Sequence, residues 1–457
     1  MQALLAIAVL TLKAAVRFRL LIVLGVLLLL TVVGLPMIIK DDGTAQGFTQ
    51  ILLTYTLTFI TAILGFATMW IACGTLARDI EEYQMQMIAV KPVAAWQVWL
   101  GKWLGIMVLN GILLSLSGVS VFYMMQKRAA QLPEEQQQIL RDEIFVARGS
   151  AKEKPTDIEP IVDEMMAERL EENPELANMD RSFVREQLTQ QVVAMQQVVQ
   201  PGYRRRWPIY VGDPEELKDQ PLYLRVKFFT STPYDTGTYI AFWDIGPEGA
   251  QRLRIENSIS PESPIQFEIQ PNMLDSDGVL MVDFENWNQK ALLFPLEDGV
   301  EVLYKRGNFG PNFARGLILI YCWLGFLAAL GLMAASFLSF PIATFFTLAM
   351  LFIGFSNGTL SQIIEERGIT GVNSNTGMTA APSIIDTVAV SAAEGLLYTI
   401  NMVREFSPVD KLSTGRMITW WQVGRGVFQI VIVMGGLIGL LGVVILSQRE
   451  LANAKSF

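Results

Sequence analysis

Residues 316–355 read GLILIYCWLGFLAALGLMAASFLSFPIATFFTLAMLFIGF, forty positions without one Asp, Glu, Lys or Arg. A bilayer core is crossed by about 20 apolar helical residues, so this run is long enough for two crossings. The turn from Ser336 to Pro341 is where the chain is expected to double back. The whole chain agrees with this opening: of 457 residues 51% are hydrophobic and 17% charged, against about 25% charged in soluble domains. It reads as an integral membrane protein. Its charges are concentrated, residues 126–313 holding 20 Lys/Arg and 32 Asp/Glu out of totals of 35 and 44. An acidic soluble domain is therefore inserted into a slightly basic membrane protein.

Two counts narrow the chemistry. Both cysteines, Cys73 and Cys322, fall in apolar runs, so no disulfide framework supports the inserted domain. Histidine is absent, which removes His-based triads, imidazole metal sites and imidazole acid–base catalysis. No catalytic or metal-ligating set is expected.

Six spans are predicted. Residues 1–17 read as a helix at the cytosolic interface, its apolar run Gln2 to Leu12 too short to cross and lacking the order of charge and cleavage site of a signal peptide. Residues 18–125 contain spans one to three, about Leu20 to Ile39, Ile51 to Thr75 and Trp103 to Met125. Residues 314–356 contain spans four and five, and 423–457 the last span and a tail, with the interfacial pair Trp420 and Trp421 ahead of it. Lys13, Arg17, Arg19, Lys91, Lys102, Arg449 and Lys455 place both termini in the cytosol by the positive-inside rule, and the inserted domain outside. Within 357–422 the stretch Ser383 to Val403 is moderately apolar but carries Asp386 and Glu394. A helix that dips into the outer surface is preferred to a seventh span, because two carboxylates in lipid are costly.

The insertion changes pattern once. Residues 126–200 are polar and helical in period, with LPEEQQQILRDEIFVARG, DIEPIVDEMMAERLEEN and RSFVREQLTQQVVAMQQVV as candidate helices. Residues 201–313 alternate in short runs, LYLRVKFF, YIAFWDI, IQFEI, VLMVDFEN and EVLYKR, between turn residues. That spacing predicts an antiparallel sandwich of jelly-roll type. Trp207, Tyr210, Trp243 and Trp287 are either core aromatics or stacking faces for sugars. The acidic stretch Asp275 to Gly278 reads as a hairpin turn or part of a calcium loop, with its glycine too early for an EF-hand.

Between spans two and three the chain reads ARDIEEYQMQMIAVKPVAAWQVWLGK, residues 77–102. Ile80, Tyr83, Met87 and Val90 recur at helical spacing, with Asp79, Glu81, Glu82, Gln84 and Gln86 elsewhere, and Lys91-Pro92 ends the pattern. A helix over about 78–91 with an acidic polar side is disfavoured at anionic lipid and fits docking on a partner.

The run RDIEEYQMQMIAVKPVAAWQVWLGKWLG resembles the loop after span two in ABC-2 type permeases, the membrane subunits of ATP-binding-cassette exporters. The N-terminal interfacial helix, FSPVDKLSTGRMI before the last span and the closing LSQREL are similar to that family too, over residues 1–125 and 314–457. The resemblance implies a coupling helix pressed on a separate nucleotide-binding ATPase subunit, with Asp79, Glu81, Glu82, Tyr83, Met87, Lys91 and Pro92 carrying the contact. It also implies a second permease subunit, identical or a paralogue, and a cleft between the two beside span two. ATP and magnesium would be held by the ATPase subunit and no cofactor by this chain. The residues fit that division: no G-x-x-x-x-G-K-[ST] occurs, and no predicted span has an ionisable residue near its centre.

Thr54, Thr58, Thr61, Gly65, Thr68 and Ala72 form one small, mildly polar stripe along span two, which suits either a translocation path or close helix packing. Gly435, Gly439 and Gly442 in the last span read as packing positions. The expected function is the permease half of an exporter in a bacterial inner membrane, moving an unidentified, hydrophobic or amphipathic substrate outward. Alternatives are a membrane-anchored binding or assembly protein, and a module that transmits force without cargo. An envelope protein is a further partner the outer domain would allow; the acidity of that domain argues against nucleic acid.

Overall fold

The computed structural model describes residues 2–17, 20–35, 43–82, 93–172, 181–218, 220–230, 237–247, 252–296, 298–355, 391, 394–395 and 406–448. It divides into two compact units, Met1–Val146 with Asn308–Phe457, and Ala147–Gly307. In chain order the helices are α1 (Gln2–Arg17), α2 (Leu20–Leu29), α3 (Ala45–Thr49), α4 (Thr56–Glu81), α5 (Ala95–Ala129), α6 (Glu134–Ile139), α7 (Glu159–Glu172), α8 (Arg181–Gln197), α9 (Phe309–Phe337), α10 (Phe340–Phe355), α11 (Val409–Ser413), α12 (Trp420–Gly426) and α13 (Gly436–Gln448). Segments of π-helix carry α2 on to Gly34, α3 into α4, α6 on to Ile144 and α12 into α13.

Among the described residues four helices are long and apolar enough to cross a membrane: Gly47–Glu81, Ala95–Ala129, Phe309–Phe337 and Trp420–Gln448. Shorter apolar helices are Gln2–Ala15, Val23–Gly34 and Phe340–Leu351. The forty-residue apolar run breaks where the sequence suggests: α9 ends at Phe337, Leu338 is extended, and α10 starts at Phe340. The second long helix, Ala95–Ala129, begins earlier than the span expected from Trp103, so Lys102, placed ahead of that span from sequence, lies two turns inside the helix and is 5% exposed.

Small residues set the packing of the first unit. A Cβ at Gly331 of α9 would meet Ala72 Cβ of α4 at 2.7 Å, and one at Gly105 of α5 would meet Ala8 O of α1 at 2.7 Å. In an apolar solvent helices associate through such close backbone approach. Gly439 and Gly442 of α13 seat the Trp99 ring, a Cβ at either falling within 2.8 Å of it. The segment preceding the last long helix is tied to the start of α9: Asn312 Nδ2 donates to Arg416 O (2.8 Å), Asn312 Oδ1 accepts from Ile418 N (2.7 Å), and Arg315 donates to Ile418 O (2.9 Å). Gly415 holds the turn there at φ +67°, where a side chain would also strike Glu143 O.

The second unit carries strands β1 (Val146–Ala151), β2 (Val198–Val199), β3 (Arg204–Tyr210), β4 (Leu222–Val226), β5 (Phe229–Thr230), β6 (Tyr239–Ile245), β7 (Leu253–Ile259), β8 (Ile265–Ile269), β9 (Val279–Glu285), β10 (Leu292–Leu293) and β11 (Val300–Asn308). They form two four-stranded sheets, β1-β11-β4-β8 and β3-β9-β6-β7, and a small sheet β2-β10-β5. The four-stranded sheets share one apolar core, Leu224, Val226 and Val302 from the first meeting Trp207, Trp243 and Phe284 from the second. Helices α7 and α8 pair over their own small core of Val162, Val184, Leu188 and Val192.

Two sequence readings are corrected. The helical pattern over 126–200 fails at IFVARG, which turns into β1: its residues 146–148 are buried, and Arg148 lies over the Tyr223 ring at 5.4 Å, a strand environment that a helical period cannot register. The Asp275 to Gly278 stretch is not a hairpin turn. Strands β8 and β9 on either side of it belong to different sheets. It is a tight turn in which Asp275 Oδ1 accepts from Asp277 N (3.0 Å) and Val279 N (2.7 Å), with Gly278 at φ +75°. Its lead carboxylate is occupied by backbone, and no cluster of three metal-ligating side chains occurs among the described residues.

Candidate functional site

The acidic end of α4 is where sequence reading placed the chain's working contact. Of the residues proposed for it, Tyr83, Met87, Lys91 and Pro92 lie outside the described residues, as does most of the expected 78–91 helix. Arg78, Asp79, Ile80 and Glu81 form the last turn of α4, and Glu82 follows as its C-cap. The proposed segment therefore begins as a direct continuation of a membrane-length helix.

Each charge in that turn holds another helix. Lys102 Nζ donates to Asp79 Oδ2 at 2.5 Å and to Thr75 O at 2.8 Å. A buried ammonium is thus satisfied by a carboxylate and a carbonyl near a helix C-terminus, where the macrodipole also favours a cation. Glu81 Oε1 accepts from Phe340 N at 2.9 Å. This gives an acceptor to one of the four N–H groups that the start of α10 leaves unmade, and it puts an anion at a helix N-terminus. The Arg78 guanidinium lies 4.7 Å above the Phe340 ring, and Trp70 meets the same ring edge-on at 5.3 Å. One helical turn thereby clamps α4, α5 and α10 together, while Glu81 and Glu82 stay exposed.

The stripe along α4 divides in two. Gly65, Thr68 and Ala72 are buried against neighbours, Gly65 facing Leu327 and Ala72 facing Gly331 of α9. Thr68 Oγ1 donates to Leu64 O at 2.6 Å and sits 3.1 Å from the Asn110 amide of α5. Thr54 and Thr61 are half-buried and Thr58 is exposed. The buried half serves packing; the open half is free to face lipid, a path or a second subunit. An apolar groove of about 500 Å³ between α2 and α4 lies beside this side, lined by Leu27, Ala62, Phe66 and Trp70 among others.

The four candidate stacking aromatics also separate. Trp207 and Trp243 are 3% and 0% exposed and pack with Phe284 and Phe294, so they are core. Tyr210 and Trp287 are more than half exposed.

Sequence reading missed three features. The Asp79–Lys102 pair had one signal, a lone lysine in an otherwise uncharged run. Asn110, 2% exposed inside α5, had none beyond being polar in an apolar helix. The third is a charge cluster formed by β3, β9 and Arg252 just ahead of β7. There Asp283, 1% exposed, accepts from Arg204 (2.6 Å), Arg206 (2.8 Å) and Arg252 (2.5 Å). Burial alone would raise its pKa, but the hydrogen bonds from Arg206, Arg252 and Arg204 outweigh burial and hold it at about 2. Asp283 sits in VLMVDFEN on the side of β9 opposite core residues Val282 and Phe284, and alternation identifies the side but not the arginines.

No family model, curated protein or solved structure matches this chain.

Proposed function

We propose that this chain is the membrane-spanning permease subunit of an ATP-driven exporter, working with a separate nucleotide-binding ATPase subunit and a second permease subunit. The observation that carries the reading is the clamp at the end of α4. A force applied at the exposed Glu81 and Glu82 would pass directly into α4, through Asp79–Lys102 into α5, and through Glu81 into α10. A docking element needs that combination of an exposed recognition surface and a rigid connection to several spans. The chain supplies no P-loop of its own.

In this reading the four long helices and the shorter α2 and α10 make six spans. Both termini lie in the cytosol of a bacterial inner membrane and residues 147–307 lie outside. The strand orders β1-β11-β4-β8 and β3-β9-β6-β7 support a jelly-roll description of that outer domain. The open half of the threonine stripe, from Thr54 to Thr61, faces the cleft between the two permease subunits.

The test is purification of the tagged chain from its native membrane in mild detergent. A Walker-motif ATPase is expected to accompany the wild type. Glu82→Lys reverses an exposed charge that belongs to neither clamp contact, and it should release the ATPase from a chain that is still folded. An ATPase that never accompanies the wild type, or that stays bound at full occupancy to Glu82→Lys and to Glu81→Lys with Glu82→Lys, overturns the reading.

A further inference from the structure

The second unit contains a cavity of about 700 Å³ that neither the clamp nor the helix packing explains. Its volume falls within the roughly 300–1,000 Å³ of small-molecule sites. Trp207 and Arg205 both line it, the Arg205 guanidinium lying 4.8 Å above the Trp207 ring. Arg205 reaches Glu153 at 3.3 Å through one terminal nitrogen, Nη2. The other, Nη1, is buried without a hydrogen-bond partner. A guanidinium nitrogen buried and left unmade is costly, and an acceptor brought in by a ligand would relieve that cost. Burial pulls the Arg205 pKa down while Glu153 opposes it, as expected of a cation with too little acceptor around it.

The charge of the lining points the same way. Among the described residues of the lining Glu153 is the one carboxylate, against Lys154, Arg204 and Arg205. Arg204 is engaged by Asp283 and Asp244, so one positive charge remains unbalanced. Apart from Thr156, Gln196 and Gln200 the remainder of the lining carries no polar side chain but the Tyr203 phenol and the Trp207 indole, and three of its side chains stand out into solvent: Tyr203 is 68% exposed, Met195 58% and Leu296 45%. A cavity with an under-coordinated guanidinium over an indole and apolar side chains left bare suits a ligand with an acidic head and a hydrocarbon tail.

The geometry points to a binding site for an amphipathic anion in the second unit, its carboxylate or phosphate on Arg205 Nη1 and its chain along Met195, Tyr203 and Leu296. Binding here needs no ATPase, so the site stands apart from the coupling reading, and failure of one leaves the other in place. A free fatty acid and a lipid-derived phosphomonoester share this chemistry.

The experiment is calorimetric titration of the full chain in zwitterionic nanodiscs, corrected with empty discs, using octanoate and octyl phosphate as probes. Acetate, inorganic phosphate and octyltrimethylammonium serve as controls. At least one anionic amphiphile is expected to bind, and the stronger of the two identifies the head group. Acetate, inorganic phosphate and the cation should bind at least tenfold more weakly. Arg205→Gln should weaken the preferred anion by about tenfold or more. Met195→Glu, at an exposed position that carries little folding risk, should do the same by setting a negative charge beside the tail. Equal binding of octanoate and acetate, equal binding of anion and cation, or unchanged affinity in a folded Arg205→Gln would overturn the site. If Arg205→Gln does not fold, unchanged affinity in Met195→Glu overturns it instead.

Discussion

Asp79 and Lys102 are 23 positions apart in the chain, and their charged atoms meet at 2.5 Å between two apolar helices. Lys102 is the more buried partner, its side chain 6% exposed against 26% for Asp79. The two single substitutions are therefore unequal. Asp79→Asn leaves a buried ammonium with only neutral acceptors, the Thr75 carbonyl and the new amide, and should cost about 2–3 kcal/mol, whereas Lys102→Met removes the buried charge and leaves a carboxylate with access to water. Combining them should recover most of the loss. Unfolding in detergent, run as a double-mutant cycle, measures the coupling.

A second expectation concerns α1. Its backbone lies so close to α5 that a Cβ at Gly105 would be 2.7 Å from Ala8 O and 2.8 Å from Thr11 Cβ. Gly105→Leu cannot be absorbed by a flexible side-chain tip, because one of the contacted atoms is backbone. It should push α1 off α5 at a cost of about 1–3 kcal/mol. With Cys73 and Cys322 replaced, a cysteine at Thr11, which is 5% exposed, should react slowly with a maleimide, and Gly105→Leu should speed that reaction.

The parts legible in the sequence are those that one chain segment specifies alone. The chargeless run 316–355 announced helices, and its Ser-Phe-Pro turn announced the break between α9 and α10. LYLRVKFF, YIAFWDI, IQFEI, VLMVDFEN and EVLYKR became β4 with β5, β6, β8, β9 and β11, because alternate residues must face one core. RRRWPIY and LRIENSI, which form β3 and β7, escape that reading: three consecutive arginines mask the alternation in one, and in the other Asn257 takes a place on the side of Leu253, Ile255 and Ile259 and interrupts it. What was illegible depends on a distant partner. Nothing near Asp79 specifies Lys102, nothing near Asp283 specifies Arg252, and nothing near Glu81 specifies the N-terminus of α10.

The Asp283 cluster sets a pH dependence. Its carboxyl is near 3.8 unfolded and about 2 folded, so the folded state holds the proton less well. The stability this contributes is complete above about pH 4 and is lost as pH falls from there through about 2. At about 1.4 kcal/mol per pKa unit it is on the order of 2 kcal/mol. Asp283→Asn should remove it at neutral pH, so the gap between wild type and variant, followed by near-ultraviolet circular dichroism during denaturation, should shrink as pH falls from 4 to 2.

The aromatic residues of the second unit supply the last expectation. Trp243 is fully buried, its ring 4.7 Å from Phe284 and 6.1 Å from Phe294. Trp243→Ala should open a cavity at the centre of the sandwich and cost about 3–5 kcal/mol. Trp243→Phe should cost much less, because the indole Nε1 is buried without a partner and its loss relieves an unmade hydrogen bond while most of the ring volume is kept. Trp287 is 65% exposed and touches Phe242 at 5.6 Å, so Trp287→Ala should stay within about 0.5–1 kcal/mol of wild type. Limited proteolysis of the full chain, with cleavage inside residues 147–307 as the readout, should rank the three variants in that order. A Trp287→Ala variant as protease-sensitive as Trp243→Ala would mean that the exposed ring, and not the buried one, holds the sandwich closed.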